Sequence, residues 1–329
     1  MFFLETLVVL RASQKSIIKL GMLKIFQHTI KEKVSFSGVG LHSGVNTKVT
    51  ILPGKEDQGF IFKRIDLKEN NLVSATFKNV SSAKLCTTLK NKFGIKVSTV
   101  EHLLAALYFA EIDNAIIEID NEEVPIMDGS AKDFLKEIKR TGIRKQSKPR
   151  QYIKILNKVE LVDGERKISI EPNDLSMQVD FQLNYENKLI KKQKNSINFQ
   201  SDYLERIIES RTFCLFEDIE KIQKIGLAKG GSLDNALVVK KEKVLNKGGL
   251  RNPKEFVNHK ILDLAGDFLL SGYRVLGRVY CYQGGHELTN MFLRKLFNSK
   301  VAFTKFNLKD VVISKKIATN HPLNIAVNA

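Results

Sequence analysis

The chain has 329 residues, 43% of them hydrophobic and 27% charged, which are the proportions of a soluble globular protein with length enough for two domains. No segment is long and apolar enough to span a bilayer, so no membrane anchor is expected. The 53 basic residues outnumber the 36 acidic ones, giving a net charge of +17; the excess is spread along the chain with no RNA-reading signature, which sets nucleic acid aside and favours an anionic small-molecule ligand.

The first 21 residues begin with an apolar run, but Glu5 interrupts it and no basic region precedes it, so the stretch is a poor signal peptide. Met22 opens the first alternating pattern, and residues 1–21 are expected to be a dispensable extension or a mis-called start. From Ile25 to about Val80 the runs "VSFSGVGLHSGVNTKVTILPG", "GFIFKRID" and "NNLVSATFKNV" predict strands punctuated by glycine. "STVEHLLAALYFAEI" predicts a helix with Ser98 and Glu101 at capping-box spacing. A strand in "NAIIEID", a turn in "EVPIMDGS" and a second helix ending at Gly142 follow. The polar, basic residues 144–151, with Pro149, predict a linker between a first α+β domain over 22–143 and a second over 152–309. Residues 310–329 are left as a tail.

The second half repeats the order of the first. Strands are expected in "QYIKILNKVELVDGERKISIEP" and "SMQVDFQLNY", then a helix in "FVNHKILDLAGDFLLSG", a strand in "RVLGRVYCYQGG" and a helix in "HELTNMFLRKLFNS". Aligned element by element, His102 falls opposite His259 and Asp128 nearly opposite His286, which suggests a diverged internal duplication. In a pseudo-twofold arrangement the two equivalent helix starts can face each other, and His102 can meet His259. Cys86, Cys214 and Cys281 are mutually distant and read as reduced packing residues of a cytoplasmic protein.

One stripe of the 256–272 helix is wrong for a core. His259, Asp263 and Asp267 recur every four residues and stack on one face. Two imidazoles and a carboxylate, from His102, His259 and Asp263, suit Zn²⁺ and leave a fourth position for water. Glu101, beside a ligand, is placed to take a proton from that water, and His286 to protonate a leaving nitrogen or hold an oxyanion. Plainer readings stand next to these: a capping glutamate for Glu101, satisfied helix-start histidines, a solvated face for Asp263 and Asp267, and a turn residue for His286. The sharper reading gains from coincidence, since three of only six histidines fall on the repeated unit at corresponding places. His28 and His321 read as surface residues, and His42, in a glycine-flanked turn, stays open.

"STVEHLLAAL", "EVPIMDGSA", "SRTFCLFEDIEKIQKIGLAKGGSLDNALVV", "NHKILDLAGD" and "YQGGHELTN", with the earlier "SGVGLHSG", together resemble the UDP-3-O-acyl-N-acetylglucosamine deacetylases, the zinc enzymes of the committed step of lipid A synthesis in Gram-negative bacteria. The resemblance runs in order from about Leu23 to Val301. It implies two domains, each a mainly antiparallel five-stranded sheet on two helices, packed helix layer to helix layer with the active site between them. His102, His259 and Asp263 would bind one Zn²⁺, or Fe²⁺ in the cell. Glu101 would be the general base and His286 the cationic group that stabilises the oxyanion and protonates the amine. Asp267 would favour the charged form of His286, Thr212 would offer its hydroxyl to the tetrahedral intermediate, and Lys260 would lie beside the substrate's polar groups. An apolar passage for the acyl chain would be built on the second-domain insert, with Phe213, Ile219, Ile222, Leu227 and Ala228 apolar and Gly230, Gly231 and Ser232 permitting close approach. Arg166, or Lys167 beside it, would meet the nucleotide sugar. A monomer that releases acetate from an acylated UDP-sugar is the expected protein.

Overall fold

A computed structural model describes residues 23–310 apart from Asp174. The expected extension, most of the tail and His321 lie outside the described residues. The first half runs β1 (Phe26–Ile30), β2 (Val34–Val39), β3 (Asn46–Pro53), β4 (Phe60–Arg64), β5 (Leu72–Ser74), β6 (Val80–Ser82), β7 (Thr88–Lys90), β8 (Lys96–Val97), α1 (Glu101–Phe109), β9 (Ala115–Ile119) and α2 (Lys132–Thr141). After β10 (Ile143–Pro149) the second half gives β11 (Tyr152–Ile155), β12 (Val159–Asp163), β13 (Arg166–Glu171), β14 (Met177–Asn184), β15 (Lys192–Asn198), α3 (Glu205–Ile208), β16 (Phe213–Leu215) and α4 (Phe216–Lys224). It closes with β17 (Leu237–Lys240), β18 (Lys243–Val244), α5 (Glu255–Leu269), β19 (Arg274–Tyr282), α6 (His286–Asn298) and β20 (Phe303–Phe306). The fold is α+β, and no helix among the described residues is long and apolar enough to cross a membrane.

The two halves share a plan. In the first sheet, ordered β2-β3-β9-β4-β5, β9 follows α1 and pairs parallel to β4 and antiparallel to β3. In the second, ordered β12-β13-β19-β11-β20 with β14 and β15 branching from β19, β19 follows α5 and pairs parallel to β11 and β14 and antiparallel to β13. Strand burial alternates as a one-sided sheet requires: Val49 and Ile51 on β3, and Val179, Phe181 and Leu183 on β14, are buried while their neighbours are partly or fully exposed. Helices α1 and α5 are buried along nearly their whole length and pack on each other, with α5 also against β14 and β15.

Four sequence expectations change. Residues 143–149 form strand β10 paired antiparallel to β1 instead of a loose linker; all but two are exposed, so no apolar alternation signalled a strand. The second sheet has seven strands, because the lysine-rich β15 adds to β14 as an edge strand of the polar kind that resists further pairing. His28 is not a surface residue: its side chain is 17% exposed, and its Nδ1 lies 3.2 Å from the Arg150 guanidinium, which itself donates to Asp113. The capping box at α1 does not form. The N-cap residue is Val100, with no side-chain cap.

The crossing of α1 and α5 is close because residue 266 has no side chain. A Cβ there would stand 2.1 Å from the Glu101 carbonyl oxygen and 3.1 Å from the Ala105 nitrogen. Gly266→Ala is therefore expected to push the helices apart at a cost of about 1–3 kcal/mol, the usual range for overpacking. Thermal unfolding checks this, and an unchanged midpoint would show that the crossing has slack.

Candidate active site

The start of α1 and the middle of α5 meet at one buried cluster. Glu101 and His102 sit on the first turn of α1, 2% and 4% exposed. Thr99, two residues before Glu101, holds a left-handed φ of 56°, unfavourable for a β-branched residue, and its hydroxyl donates to Glu123 at 2.8 Å. From α5 come His259, Asp263 and Asp267, all buried, which rules out the solvated-face reading. α6 begins at His286, with Gly285 as N-cap, and puts that imidazole into the same cluster.

Asp263 is the hub. Its Oδ1 lies 3.5 Å from His102 Nε2 and 3.3 Å from His259 Nε2, and the two rings meet edge to face at 5.0 Å between centroids. That Oδ1 is buried and without a hydrogen-bond partner among the described residues, while Oδ2 accepts from Lys260 Nζ at 2.9 Å. His259 Nδ1 faces the Ser210 carbonyl at 3.0 Å, so Nδ1 carries the hydrogen and the Nε2 lone pair turns toward Asp263. Burial, reinforced by His102 and Lys260, lowers the His259 pKa to about 3 against the pull of Asp263, and the imidazole stays neutral. Asp263 lies well below the usual carboxylate range: burial opposes its charge, but the cationic Lys260 and His286 outweigh it. One ligand atom from each of His102, His259 and Asp263 falls within 4.8 Å of the others, a nitrogen-nitrogen-oxygen set that fits a divalent cation of the zinc kind. The hydrogen bond from the far nitrogen of His259 is the outer support that such ligands use.

Beside this set lie Glu101, His286 and Asp267. Burial raises the pKa of Glu101, with His286 and His102 pulling the other way. Its Oε2 accepts from the Thr87 amide at 3.0 Å, and its Oε1 is 3.7 Å from His286 Nε2. His286 Nδ1 donates to Asp267 Oδ2 at 2.8 Å, and the Thr87 hydroxyl donates to Asp267 Oδ1 at 2.7 Å. Burial opposes a charge on His286, but Asp267 first, then Glu101 and Asp263, push its pKa up to about 10.

An apolar cavity of about 380 Å³ opens next to the cluster. Thr212, Phe213, Ile219, Ile222, Gly231 and Ser232 are in its wall. The Phe213 ring stands 6.3 Å from that of His259, and Lys260 Nζ lies 5.7 Å above it. Ala228 also lines the cavity, whereas Leu227 does not, and Gly230 serves packing: a Cβ on it would meet the Gly40 carbonyl oxygen at 2.2 Å. Arg166 is outside the cluster; it pairs with Asp163 and, at 3.3 Å, with Glu287, the residue after His286. Lys167 points to the other face of β13 and pairs with Glu160 at 2.8 Å.

Sequence reasoning missed three supports. Thr87 holds Glu101 and Asp267 together. Ser210 fixes His259 through its carbonyl, and Arg211 beside it binds the fully buried Glu255 at 2.8 Å, anchoring that turn to the start of α5. Glu123 binds the amides of His42 and Ser43 at 2.8 and 2.7 Å. These contacts run through backbone groups or across long sequence separations, and no local period announces them. His42, left open by the sequence, lines the cavity.

The sequence pattern of the UDP-3-O-acyl N-acetylglycosamine deacetylase family matches residues 27–298. Among curated proteins, the UDP-3-O-acyl-N-acetylglucosamine deacetylase of Pseudoalteromonas translucida is 39% identical over 282 residues, 85% of this chain and 93% of that protein. The corresponding enzyme of Phenylobacterium zucineum is 38% identical, covering 83% of this chain and 93% of its own, and that of Idiomarina loihiensis 40%, covering 85% and 92%.

A raised pKa means that the His286 imidazolium survives to high pH, so neutralising its principal partner must lower the pH at which it loses its proton. In ¹⁵N-histidine spectra His286 should remain protonated beyond pH 8, and Asp267→Asn should bring its midpoint down by about 1–3 units. A midpoint unmoved by the substitution would show that Asp267 does not set this charge.

Proposed function

The chain belongs to the UDP-3-O-acyl N-acetylglycosamine deacetylase family, and we propose that it carries out the family's reaction with a zinc ion held by His102, His259 and Asp263, Glu101 as general base and His286 as the cationic acid. The reaction is hydrolysis of the N-acetyl group of UDP-3-O-acyl-N-acetylglucosamine to the free amine and acetate, the deacetylation step of lipid A biosynthesis. The observation that carries the assignment is Asp263 Oδ1, a buried carboxylate oxygen between two imidazole Nε2 atoms and without a hydrogen-bond partner among the described residues. An acceptor with no donor is costly to bury, and a cation at that point removes the cost.

Bound there, the ion supplies Lewis acidity that lowers the pKa of the attacking water and polarises the amide carbonyl. The rest falls to the chain. Glu101, whose raised pKa suits it to hold a proton, takes one from the water, with its other oxygen steadied by the Thr87 amide. His286, kept charged by Asp267, faces the same space from the start of α6, where it stabilises negative charge on the former carbonyl oxygen and then gives its proton to the departing amine. Thr212, on the cavity wall, would offer its hydroxyl to the tetrahedral intermediate, and Lys260, whose Nζ stands over the Phe213 ring, would lie beside the substrate's polar groups.

The cavity walled by Phe213, Ile219, Gly231 and Ser232 takes the acyl chain, on the support of its apolar lining beside the cluster. Arg166 meets the nucleotide sugar; it shares its face of β13 with the buried Ile168 and lies beside the start of α6, whereas Lys167 points away. Residues 22–143 and 152–309 are proposed as the two domains, supported by the repeated sheet-and-helix order. Free thiols at Cys86, Cys214 and Cys281 agree with a reducing cytoplasmic setting.

Removal of metal by a chelator should abolish acetate release from the 3-O-acylated nucleotide sugar, and added Zn²⁺ should restore it. His259→Ala should lose stoichiometric zinc, and Glu101→Gln should keep zinc but turn over roughly 10²–10⁴-fold more slowly. Metal retained by His259→Ala, or equal turnover of acylated and unacylated substrates, would contradict the ligand set and the acyl cavity respectively.

A further inference from the structure

The chain carries 36 acidic residues, yet none falls between Asn70 and Val100, a stretch that holds Lys78, Lys84, Lys90, Lys92 and Lys96. All five lysines are exposed, and none forms an ion pair among the described residues. Lys63 and Arg64, just before them, pair with Glu118 and Asp66 at 3.0 and 2.6 Å. Three of the five crowd one hairpin. Leu89 of β7 and Val97 of β8 are paired and fully buried, so their neighbours Lys90 and Lys96 stand directly opposite each other on the outer side. Lys92 follows on the tip, its Nζ 4.9 Å from the centre of the Phe93 ring. Like charges directly opposed across a strand pair cost stability, and among the described residues no acid pairs with these to offset it.

The tip also exposes carbon. Phe93 is 55% exposed and Leu72, on β5 beside it, 54%. Asn91 holds the arrangement in shape: its side chain donates to the Asn70 and Leu72 carbonyls at 2.6 and 3.0 Å and accepts from the Phe93 and Ile95 amides at 2.9 and 3.0 Å. A preformed tip loses little freedom on docking. An anionic bilayer matches it in both respects, with phosphates for the lysine heads and hydrocarbon below them for the aromatic ring. A nucleic acid duplex or an acidic soluble polymer answers the charge but leaves Phe93 and Leu72 in water.

We propose that the β7–β8 hairpin is a peripheral docking surface for an anionic lipid bilayer, with Lys90, Lys92 and Lys96 on the headgroups and Phe93 in the interfacial layer. Leu85 of the same acid-free stretch lines the apolar cavity, and Thr87 binds Glu101 and Asp267. Lipid contact is thus made on the segment that also walls the candidate site. The docking surface does not depend on what the cavity holds.

The test uses the full chain and vesicle flotation at about 0.1 M salt. Phosphatidylcholine vesicles with about one-third phosphatidylglycerol should bind roughly tenfold more tightly than phosphatidylcholine alone, and about 0.5 M salt should remove the difference. Replacing the hairpin lysines together, Lys90→Gln, Lys92→Gln and Lys96→Gln, should weaken binding to the anionic vesicles about 100-fold. The Tm of that variant should not fall, because opposed charges have been removed. Lys132→Gln, Lys136→Gln and Lys139→Gln, on the exposed side of α2, change the net charge equally and should cost less than about threefold. The chain has no tryptophan, so Phe93→Trp is a single-site reporter; its emission should move to shorter wavelength with the anionic vesicles and stay put with phosphatidylcholine. Flotation that survives the hairpin substitutions, or falls as far with those on α2, overturns the proposal, the second result assigning attraction to the whole basic surface. Unshifted Phe93→Trp emission in protein that floats shows attachment through another face and overturns it too. Tighter binding of the hairpin to polyglutamate than to the vesicles assigns an acidic polymer in place of lipid and has the same force.

Discussion

Three carboxylates buried in one pocket are the constraint on which the rest of this molecule depends. Glu101, Asp263 and Asp267 are each less than 5% exposed. Desolvation and mutual repulsion both penalise such a cluster unless donors and cations are built around it. Two cations stand against the three acids, Lys260 on Asp263 and His286 between Asp267 and Glu101, and Thr87 supplies a hydroxyl and an amide. The deficit remains at Asp263 Oδ1, flanked by imidazole nitrogens. A bound divalent cation answers an electrostatic need that the folded chain itself creates.

The repeated element order explains how the groups converge, and its departures explain why they differ. The same strand-helix order in both halves brings α1 and α5 together, and Gly266 lets them approach until His102 and His259 meet. At the counterpart of His286, however, Asp128 bonds Ser130 and pairs with Arg251 at 2.8 Å, holding a turn instead of entering the site. The repeated scaffold supplies the paired imidazoles of His102 and His259, and the difference between its two arms puts His286 in the cluster and leaves Asp128 outside it. Proton transfer needs groups with different pKa values, so the asymmetry is chemically necessary.

The helical stripe of His259, Asp263 and Asp267 was legible because side-chain period and burial coincide: three polar groups on a face otherwise made of Leu, Ile, Phe and Ala must be satisfied by something. The capping-box spacing of Ser98 and Glu101 misled because spacing says nothing of where a carboxylate turns; Glu101 bonds the Thr87 amide, and Ser98 donates to the Glu122 carbonyl. β10 and β15 escaped notice since an exposed edge strand carries no apolar alternation. Thr87, Ser210 and Glu123 were invisible for a different reason. Their partners lie 14 to 180 residues away in sequence, and single-chain periodicity carries no information about such contacts.

Glu123 shows what those hidden contacts accomplish. One of its oxygens, Oε1, accepts both from the His42 amide and from the Thr99 hydroxyl, each at 2.8 Å. Thr99 sits in a left-handed conformation that costs roughly 1–3 kcal/mol for a residue other than glycine and persists only where its surroundings enforce it. The same residue fixes the direction in which α1 starts, and so the aim of Glu101 and His102. A displacement of the 40–44 loop from the cavity wall would therefore remove an interaction that holds Thr99 in place. The cavity wall at His42 and the turn that leads into Glu101 and His102 share one carboxylate oxygen, and a shift of either removes a hydrogen bond that holds the other.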